Sequence, residues 1–422
     1  MESNSAAIKA AREILHNNDM GGYTVPTHDL YPFQWNWDAA ITALGWMTFD
    51  QTRAWQEIEF LLKGQWKNGM VPHIVFHKEV DSYFPGPDVW GVDLPLRTTS
   101  ISQPPVLASV VKILFEGATD KDLAREKLSE ILPKLIAYHL WWYKDRDPES
   151  TGLVVSYHPW ETGMDNSPAW DDALSKVPPV DWSYIRRDTN HVDSAQRPHQ
   201  DEYDRYLYLL DFFKKMNFDS RKIFDNSPYK INDIGIISIL HKATKDLISL
   251  CESSGLELEQ LPLLKEKISA TEQAISQLWD ADSSSFLSKD LIADQLCPAI
   301  TTGTLMALYG ELASPAQAEK IKVLLQDWLN ACEFGLASTH PNSDKFEAQR
   351  YWRGPVWLHI NWLIALGTEQ YEMTEITEQI KQTSYDLIEK NGYFEYFNCK
   401  TGEGCGGDKF SWTAATAIYW FL

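Results

Sequence analysis

Two carboxylates in aromatic surroundings are the residues best suited to chemistry in this sequence. Asp165 lies between Trp160 and Trp170, and Glu395 lies in the aromatic run YFEYF at positions 393–397. Hydrolysis of a glycosidic bond needs one carboxylic acid to protonate the leaving oxygen and one carboxylate to activate water. Apolar neighbours raise the pKa of a carboxyl, which suits Asp165 to the acid role. The pair therefore indicates acid–base hydrolysis of a sugar.

Residue type and spacing alone leave other carboxylates open. Five more acidic residues compete with the pair on composition: Glu161, Asp171, Asp172, Asp204 and Glu347. Asp165 begins an Asp-Asn-Ser-Pro run that is typical of a turn. Glu395 is also compatible with a solvated position on a helix or hairpin, and Asp38 with a helix N-cap. The two candidates are 230 positions apart, so only the fold can bring them together.

Aromatic and polar residues are mixed in four clusters, and tryptophan is abundant at 18 of 422 residues. The clusters are residues 31–38 (YPFQWNWD), 158–166 (HPWETGMDN), 351–357 (YWRGPVW) and 393–412. Large amphipathic rings in loops stack on ligands such as sugar rings, although they also fill large cores. We interpret the four clusters as the lining of one pocket.

Other kinds of catalysis lack their sequence signatures. A serine nucleophile elbow, a Walker loop, a dinucleotide glycine motif and a His-Glu-x-x-His zinc site are all missing from the sequence. We therefore expect no cofactor and no metal. A formal net charge of −21 without a basic run argues against a nucleic-acid partner.

The periodicity of apolar residues predicts an almost entirely helical chain. Twelve helices are expected near residues 38–50, 52–64, 101–116, 122–146, 202–216, 233–252, 258–279, 299–310, 314–330, 355–367, 372–390 and 411–421. About half of them are rich in small, uncharged residues, and the rest are amphipathic. This contrast predicts an inner and an outer layer. The expected fold is an all-α (α/α)6 barrel, with an open helical solenoid as the alternative.

The loops between these helices suggest where the pocket lies. Three aromatic clusters directly precede buried-type helices, so a closed ring would place them on one rim. The stretches 65–100 and 147–200 carry little helical period but many aromatic residues, which indicates long functional loops. No linker divides the chain, so we expect one catalytic domain over residues 1–422.

Composition also bears on where the protein acts. The sequence has no apolar stretch long enough for a bilayer, so no membrane partner is expected. Its first residues lack the pattern of a secretory signal. The five cysteines are widely spread and are interpreted as reduced thiols. These features favour the cytoplasm.

At these clusters the sequence resembles glycoside hydrolase family 63, in particular its short members that hydrolyse mannosylglycerate and glucosylglycerate. The resemblance rests on residues 31–38, 69–73 (GMVPH), 83–87 (YFPGP), 160–168, 351–357 and 395–412. It implies an (α/α)6 barrel and an inverting mechanism. In that mechanism Asp165 is the general acid and Glu395 the general base, with carboxyl groups roughly 6.5 to 9.5 Å apart.

The resemblance also implies the substrate-binding residues. The sugar would contact Tyr31, Trp35, Trp37, Asp38, Trp160 and Trp357. The glycerate would contact His73, Tyr83, Gln103, Arg197, Tyr351 and Trp352. A guanidinium can hold a carboxylate with two parallel hydrogen bonds, and Arg197 has Arg186, Arg187 and Arg205 as nearby competitors for that role.

Two other functions fit the same residues. One is a family 63 α-glucosidase that takes a neutral di- or oligosaccharide, and the other is a non-catalytic sugar-binding protein. All three share a small-molecule sugar ligand, which we expect to be an anionic glycoside. A preference for mannose or glucose and the oligomeric state do not follow from these residues.

Overall fold

The computed structural model describes residues 2–255 and 259–421, with side chains from residue 6 onward. In these ranges the α-helices are α1 (Glu2–Asn17), α2 (Asn36–Met47), α3 (Gln51–Leu62), α4 (Pro87–Trp90), α5 (Leu107–Glu116), α6 (Lys121–Asp145), α7 (Asp171–Ser175), α8 (Gln200–Lys215), α9 (Ser220–Asn226), α10 (Ile234–Ser254), α11 (Leu261–Ala274), α12 (Thr302–Tyr309), α13 (Pro315–Ala331), α14 (Leu358–Gln370), α15 (Thr374–Asn391) and α16 (Ser411–Phe421). Short 3-10 helices span Pro159–Thr162, Pro168–Trp170, Asp188–Asn190, Ser194–Gln196 and Ile275–Leu278.

Six of these helices form a closed inner ring. Each contacts the next in the order α2, α5, α10, α12, α14 and α16, and α16 contacts α2 again. The partners α1, α3, α6, α11, α13 and α15 pack outside them. The alternation confirms the predicted (α/α)6 barrel.

Burial explains which helices lie inside. All eight residues of α12 are buried, whereas α3 buries one face only, as expected for a central and a surface helix. Small residues let the inner helices approach closely: a Cβ on Gly45 of α2 would lie 2.6 Å from the Cα of Ala415 in α16. The Ala- and Gly-rich sequences of the inner helices thus reflect their tight packing.

The twelve ring helices differ in membership from the twelve predicted. Helix α1 was not predicted, and it packs against α16. The predicted helix at 202–216 exists as α8, but it lies in the long excursion between α6 and α10. There it contacts α7 of the same excursion and α4 of the earlier loop before α5. The misplacement of α8 arises because amphipathicity shows that a helix packs on something but not on which partner.

Two predicted boundaries also shift. Helix α5 begins at Leu107 rather than 101, because Pro104 and Pro105 keep the preceding residues out of the helical conformation. The helix predicted at 258–279 becomes α11 followed by the 3-10 turn Ile275–Leu278, and its predicted first residue, 258, lies outside the described residues.

Nine two-residue strands secure the loops. They are β1 (Gln34–Trp35), β2 (Ile74–Val75), β3 (Ile231–Asn232), β4 (Trp279–Asp280), β5 (Ser285–Phe286), β6 (Lys289–Asp290), β7 (Gln295–Leu296), β8 (Tyr396–Phe397) and β9 (Gly404–Cys405), counted over the described ranges. All pairings are antiparallel: β1 with β2, β4 with β5, β8 with β9, and β3–β6–β7 in that order. The β8–β9 pair aligns Tyr396 with Cys405 and so sets the position of the neighbouring Glu395.

None of the described helices combines the length and the apolarity that crossing a membrane would require.

Candidate active site

A pocket with about 880 Å³ of empty space lies among the segments that precede the inner helices α2, α5, α14 and α16. The predicted site residues that line it are Tyr31, Trp35, Trp37, Asp38, His73, Tyr83, Gln103, Trp160, Asp165, Arg197, Tyr351, Trp352 and Glu395. The fold thus brings residues from the four aromatic clusters and from the two long loops into one cavity.

Asp165 lies on the wall of this pocket, in the turn between two 3-10 helices. Its backbone oxygen accepts hydrogen bonds from Trp170 Nε1 at 2.9 Å and from the Tyr206 hydroxyl at 3.0 Å. Burial raises the pKa of its carboxyl to about 7, against the opposing charge of Arg197. A carboxyl held in this way keeps a proton at near-neutral pH and can deliver it to a bound ligand.

Glu395 is fully buried and better supplied with donors. Its Oε1 accepts a hydrogen bond from the Tyr31 hydroxyl at 2.9 Å, and its Oε2 accepts one from the Gly407 N–H at 3.1 Å. Burial raises the pKa of Glu395, whereas the Arg197 charge and these two donors lower it. The donors stabilise the ionised form, as a base that takes a proton from water requires.

A glycine allows the backbone to approach Glu395 closely. Gly406 has a φ of +70°, and a Cβ at this position would lie 2.4 Å from Glu395 Oε2. Only glycine adopts that backbone conformation without strain and also leaves space for the carboxylate. The glycine-rich segment after β8 therefore shapes the surroundings of the candidate base.

Arg197 reaches the same carboxylate from the long loop before α8. Its Nη1 donates to the Tyr31 hydroxyl at 2.8 Å and lies 3.7 Å from Glu395 Oε1. Its Nε donates to Asp188 Oδ2 at 3.1 Å, and its guanidinium packs 4.2 Å from the centre of the Tyr351 ring. These contacts hold a buried cation at the wall of the pocket.

The other arginines of this loop have different environments. Arg186 donates to both oxygens of Asp188 and to the Pro198 carbonyl. Arg205 donates to the Val177 carbonyl and does not line the pocket. Arg187 does line it, but as an exposed residue. Arg197 is thus the buried guanidinium of the pocket.

Aromatic rings form most of the remaining wall. Trp35 and Tyr83 meet edge to face at 5.5 Å, and Trp37 lies 6.0 Å from Trp352. Trp357 departs from the expectation that it contacts the sugar, because its ring stacks flat behind Trp352 with centroids 3.8 Å apart. It therefore supports the wall without lining it.

Three polar residues complete the predicted set. Asp38 is the third residue of α2, so it is not the N-cap, and burial raises its pKa well above the usual range, with a further contribution from the Glu395 charge. Gln103 Oε1 accepts the Trp37 N–H at 3.2 Å and so caps the first turn of α2. Burial lowers the pKa of His73 to about 3, which keeps its imidazole neutral.

The competing carboxylates lie elsewhere. Glu161 binds Arg146 through both of its oxygens, and Asp171 binds Arg353 in the same way. Neither they nor Asp172, Asp204 and Glu347 line the pocket. Residues that were not predicted also line the pocket, including Asp188, Trp90 and Tyr203. The Arg-Arg-Asp run at 186–188 was the available signal for Asp188, since a carboxylate among arginines forms buried ion pairs.

Comparison with known proteins identifies the family. Residues 31–413 match the model of the mannosylglycerate hydrolase MGH1-like glycoside hydrolase domain. A crystal structure of the GH63 mannosylglycerate hydrolase from Thermus thermophilus, in complex with Tris and D-glycerate, superposes with a TM-score of 0.95 at 42% identity, covering 99% of this chain and 100% of that one. The chain is a family 63 glycoside hydrolase. The predicted family and enzyme class are thereby confirmed.

Two curated relatives of this hydrolase carry names for different sugars. Mannosylglycerate hydrolase MGH1 of Selaginella moellendorffii is 44% identical over 99% of this hydrolase and 86% of its own length. The glucosylglycerate hydrolase of Mycolicibacterium hassiacum is 32% identical over 97% of this hydrolase and 96% of its own length. The relatives of this hydrolase therefore include proteins named for mannosylglycerate and a protein named for glucosylglycerate.

Proposed function

We propose that this hydrolase cleaves mannosylglycerate, glucosylglycerate or both to free sugar and glycerate, with inversion at the anomeric carbon. The observation that carries the proposal is the placement of Asp165 and Glu395 in one pocket with a buried arginine. Relatives named for both substrates support it. We further propose that residues 1–422 form one catalytic domain, acting in the cytoplasm, where the five free cysteines would stay reduced.

The two carboxyl groups divide the chemistry. Asp165 protonates the bridging oxygen as the glycosidic bond breaks, because its raised pKa leaves it a proton to give at near-neutral pH. Glu395 takes a proton from the water that attacks the opposite face of the sugar ring. Its hydrogen bonds from Tyr31 and Gly407 hold the carboxylate in place for that step.

Different residues of the pocket wall contact the two parts of the substrate. We assign the sugar ring to Tyr31, Trp35, Trp37, Asp38 and Trp160, with Trp357 stiffening the wall behind Trp352. We assign the glycerate to His73, Tyr83, Gln103, Arg197, Tyr351 and Trp352. Arg197 supplies the positive charge for the carboxylate, and the neutral His73 and Gln103 suit uncharged hydrogen bonds.

Product analysis tests the proposal directly. The purified enzyme is incubated with mannosylglycerate, glucosylglycerate and the neutral disaccharide kojibiose, and proton NMR follows the anomer released first. We propose an α-glycosidase and therefore expect β-sugar from the glycerate substrates, because inversion converts an α-glycoside into the β-anomer. Release of the α-anomer would contradict inversion, and release of no sugar from any substrate would favour a binding protein.

Arginine variants separate the anionic substrate from the neutral alternative. Arg197→Gln should impair hydrolysis of a glycerate glycoside far more than that of kojibiose, because it removes the buried cation. The matched control is Arg187→Gln, which removes an exposed guanidinium at the same pocket. Equal losses on both substrates would favour a family 63 α-glucosidase for neutral sugars.

A further inference from the structure

The contact between Arg197 and Glu395 is unusual for a base that must accept a proton. The guanidinium Nη1 lies 3.7 Å from Glu395 Oε1, and both groups bind the same Tyr31 hydroxyl. A cation this close stabilises the ionised carboxylate and so weakens it as a base. In the free enzyme, Arg197, which we propose to bind the substrate carboxylate, therefore also stabilises the ionised form of Glu395.

The charges at this point are balanced before a substrate arrives. Arg186 and Arg197 carry two positive charges, and Asp188 and Glu395 carry two negative charges. Arg186 donates its hydrogen bonds to Asp188 and to the Pro198 carbonyl and is therefore committed away from Glu395. A substrate carboxylate would add a third negative charge beside Arg197, the buried guanidinium of the pocket.

We infer that a substrate carboxylate paired with Arg197 withdraws positive charge from Glu395 and thereby activates the general base. Tyr31 is the positioning residue, because its hydroxyl joins the guanidinium to the carboxylate. This inference rests on the proposed function. On this inference the carboxylate of the substrate increases turnover as well as affinity. Selectivity for anionic over neutral substrates would then appear in kcat as well as in KM.

Several other side chains also contribute to the electrostatic potential at Glu395, so any pH dependence of this group reflects them as well. The titratable or charged side chains that act on it come from every neighbouring segment: Tyr31, Asp38, Asp165, Asp188, Arg197, Tyr351, Tyr396 and Cys405. Among them Arg197 is the cation. A carboxylate ligand would therefore act on Glu395 most directly by neutralising the positive charge of Arg197.

The kinetic test compares two substrates that differ only at the carboxylate. Turnover of the glycerate glycoside is measured against pH beside that of the glycerol glycoside, in which CH₂OH replaces the carboxylate. We expect the lower pH limb of kcat to lie higher for the anionic substrate by up to roughly one pH unit, because that is about the effect on Glu395 of the Arg197 charge, about 4 Å away, even in a water-like dielectric. In Arg197→Met the limb of the neutral substrate should itself move to higher pH, because the cation that acts on Glu395 is gone, whereas in Arg187→Met it should stay in place.

A binding measurement makes the test independent of turnover. At about pH 5, where Asp165 already holds its proton, binding of D-glycerate should be accompanied by proton uptake on Glu395. Calorimetry in buffers of different ionisation enthalpy measures this uptake, which should be lost in Glu395→Gln. Glycerate binding without proton uptake, or coincident limbs in the unaltered enzyme, would overturn the inference. Failure to hydrolyse the glycerate glycoside at all would instead refute the proposed function.

Discussion

Arg197 donates a hydrogen bond from Nε to Oδ2 of Asp188 at 3.1 Å, in a pair whose side chains are both almost fully buried. This contact orients the guanidinium so that Nη1 faces Tyr31 and Glu395. Asp188 thus contributes to the site by orienting Arg197. The proposed specificity of the pocket for an anion depends on that orientation.

Asp188→Asn should raise KM for a glycerate glycoside more than it lowers kcat for a neutral substrate. The amide removes the charge that holds two guanidinium groups and leaves Arg197 free to reorient. Steady-state kinetics on both substrates measure the split. Asp181→Asn, at an exposed position in the same loop, is the control and should leave both constants unchanged.

Asp165→Ala should lower turnover by at least about a hundredfold, the contribution expected of a general acid. Substrates with an activated leaving group that needs no proton should lose much less. Asp172→Ala removes a nearby carboxylate that does not line the pocket, so it should retain activity. Near-normal turnover by Asp165→Ala on mannosylglycerate would reject the assignment.

The pH profile should show the acid directly. Because burial raises the pKa of Asp165 to about 7, activity should fall as pH rises through that value and the carboxyl loses its proton. The profile of kcat/KM against pH measures this upper limb. In Asp165→Asn the limb should vanish from the residual activity, and its persistence would assign it to another group.

Glu395→Gln should also reduce turnover by at least about a hundredfold, because the amide cannot accept a proton from water. Added azide needs no base to attack, so it should restore release of glycerate and give a glycosyl azide of inverted configuration. Glu389→Gln, on the exposed side of α15, is the matched control. Formation of a retained azide would indicate that Glu395 is not the base of an inverting enzyme.

Gly406→Ala should abolish most activity while the fold is retained. Its Cβ would displace the Glu395 carboxylate, which lies 2.4 Å from that position. Gly255→Ala is a close control, because Gly255 has the same φ of +70° but an open space around its Cβ. Thermal unfolding should show a loss from backbone strain of about 1 kcal/mol in Gly255→Ala and a larger loss in Gly406→Ala, where the new Cβ also overlaps Glu395 and Tyr396. Only Gly406→Ala should lose turnover.

Much of this protein could be predicted from its residues. Helical periodicity and the contrast between small-residue and amphipathic segments predicted the barrel, because burial on all sides and burial on one side demand different sequences. The motifs around Asp165 and Glu395 pointed to the family. Patterns within one segment were sufficient for features that depend on that segment alone, such as the helices and the sequence motifs.

Only the tertiary structure decided which distant groups meet. It placed Asp165 and Glu395 in one pocket, assigned α1 to the ring in place of α8, moved Trp357 behind Trp352, and distinguished Arg197 from its neighbouring arginines. These outcomes depend on partners from remote segments. Tyr31 joins Arg197 to Glu395 across separations of 166 and 364 residues, so only the closed ring could bring both groups within hydrogen-bond distance of its hydroxyl.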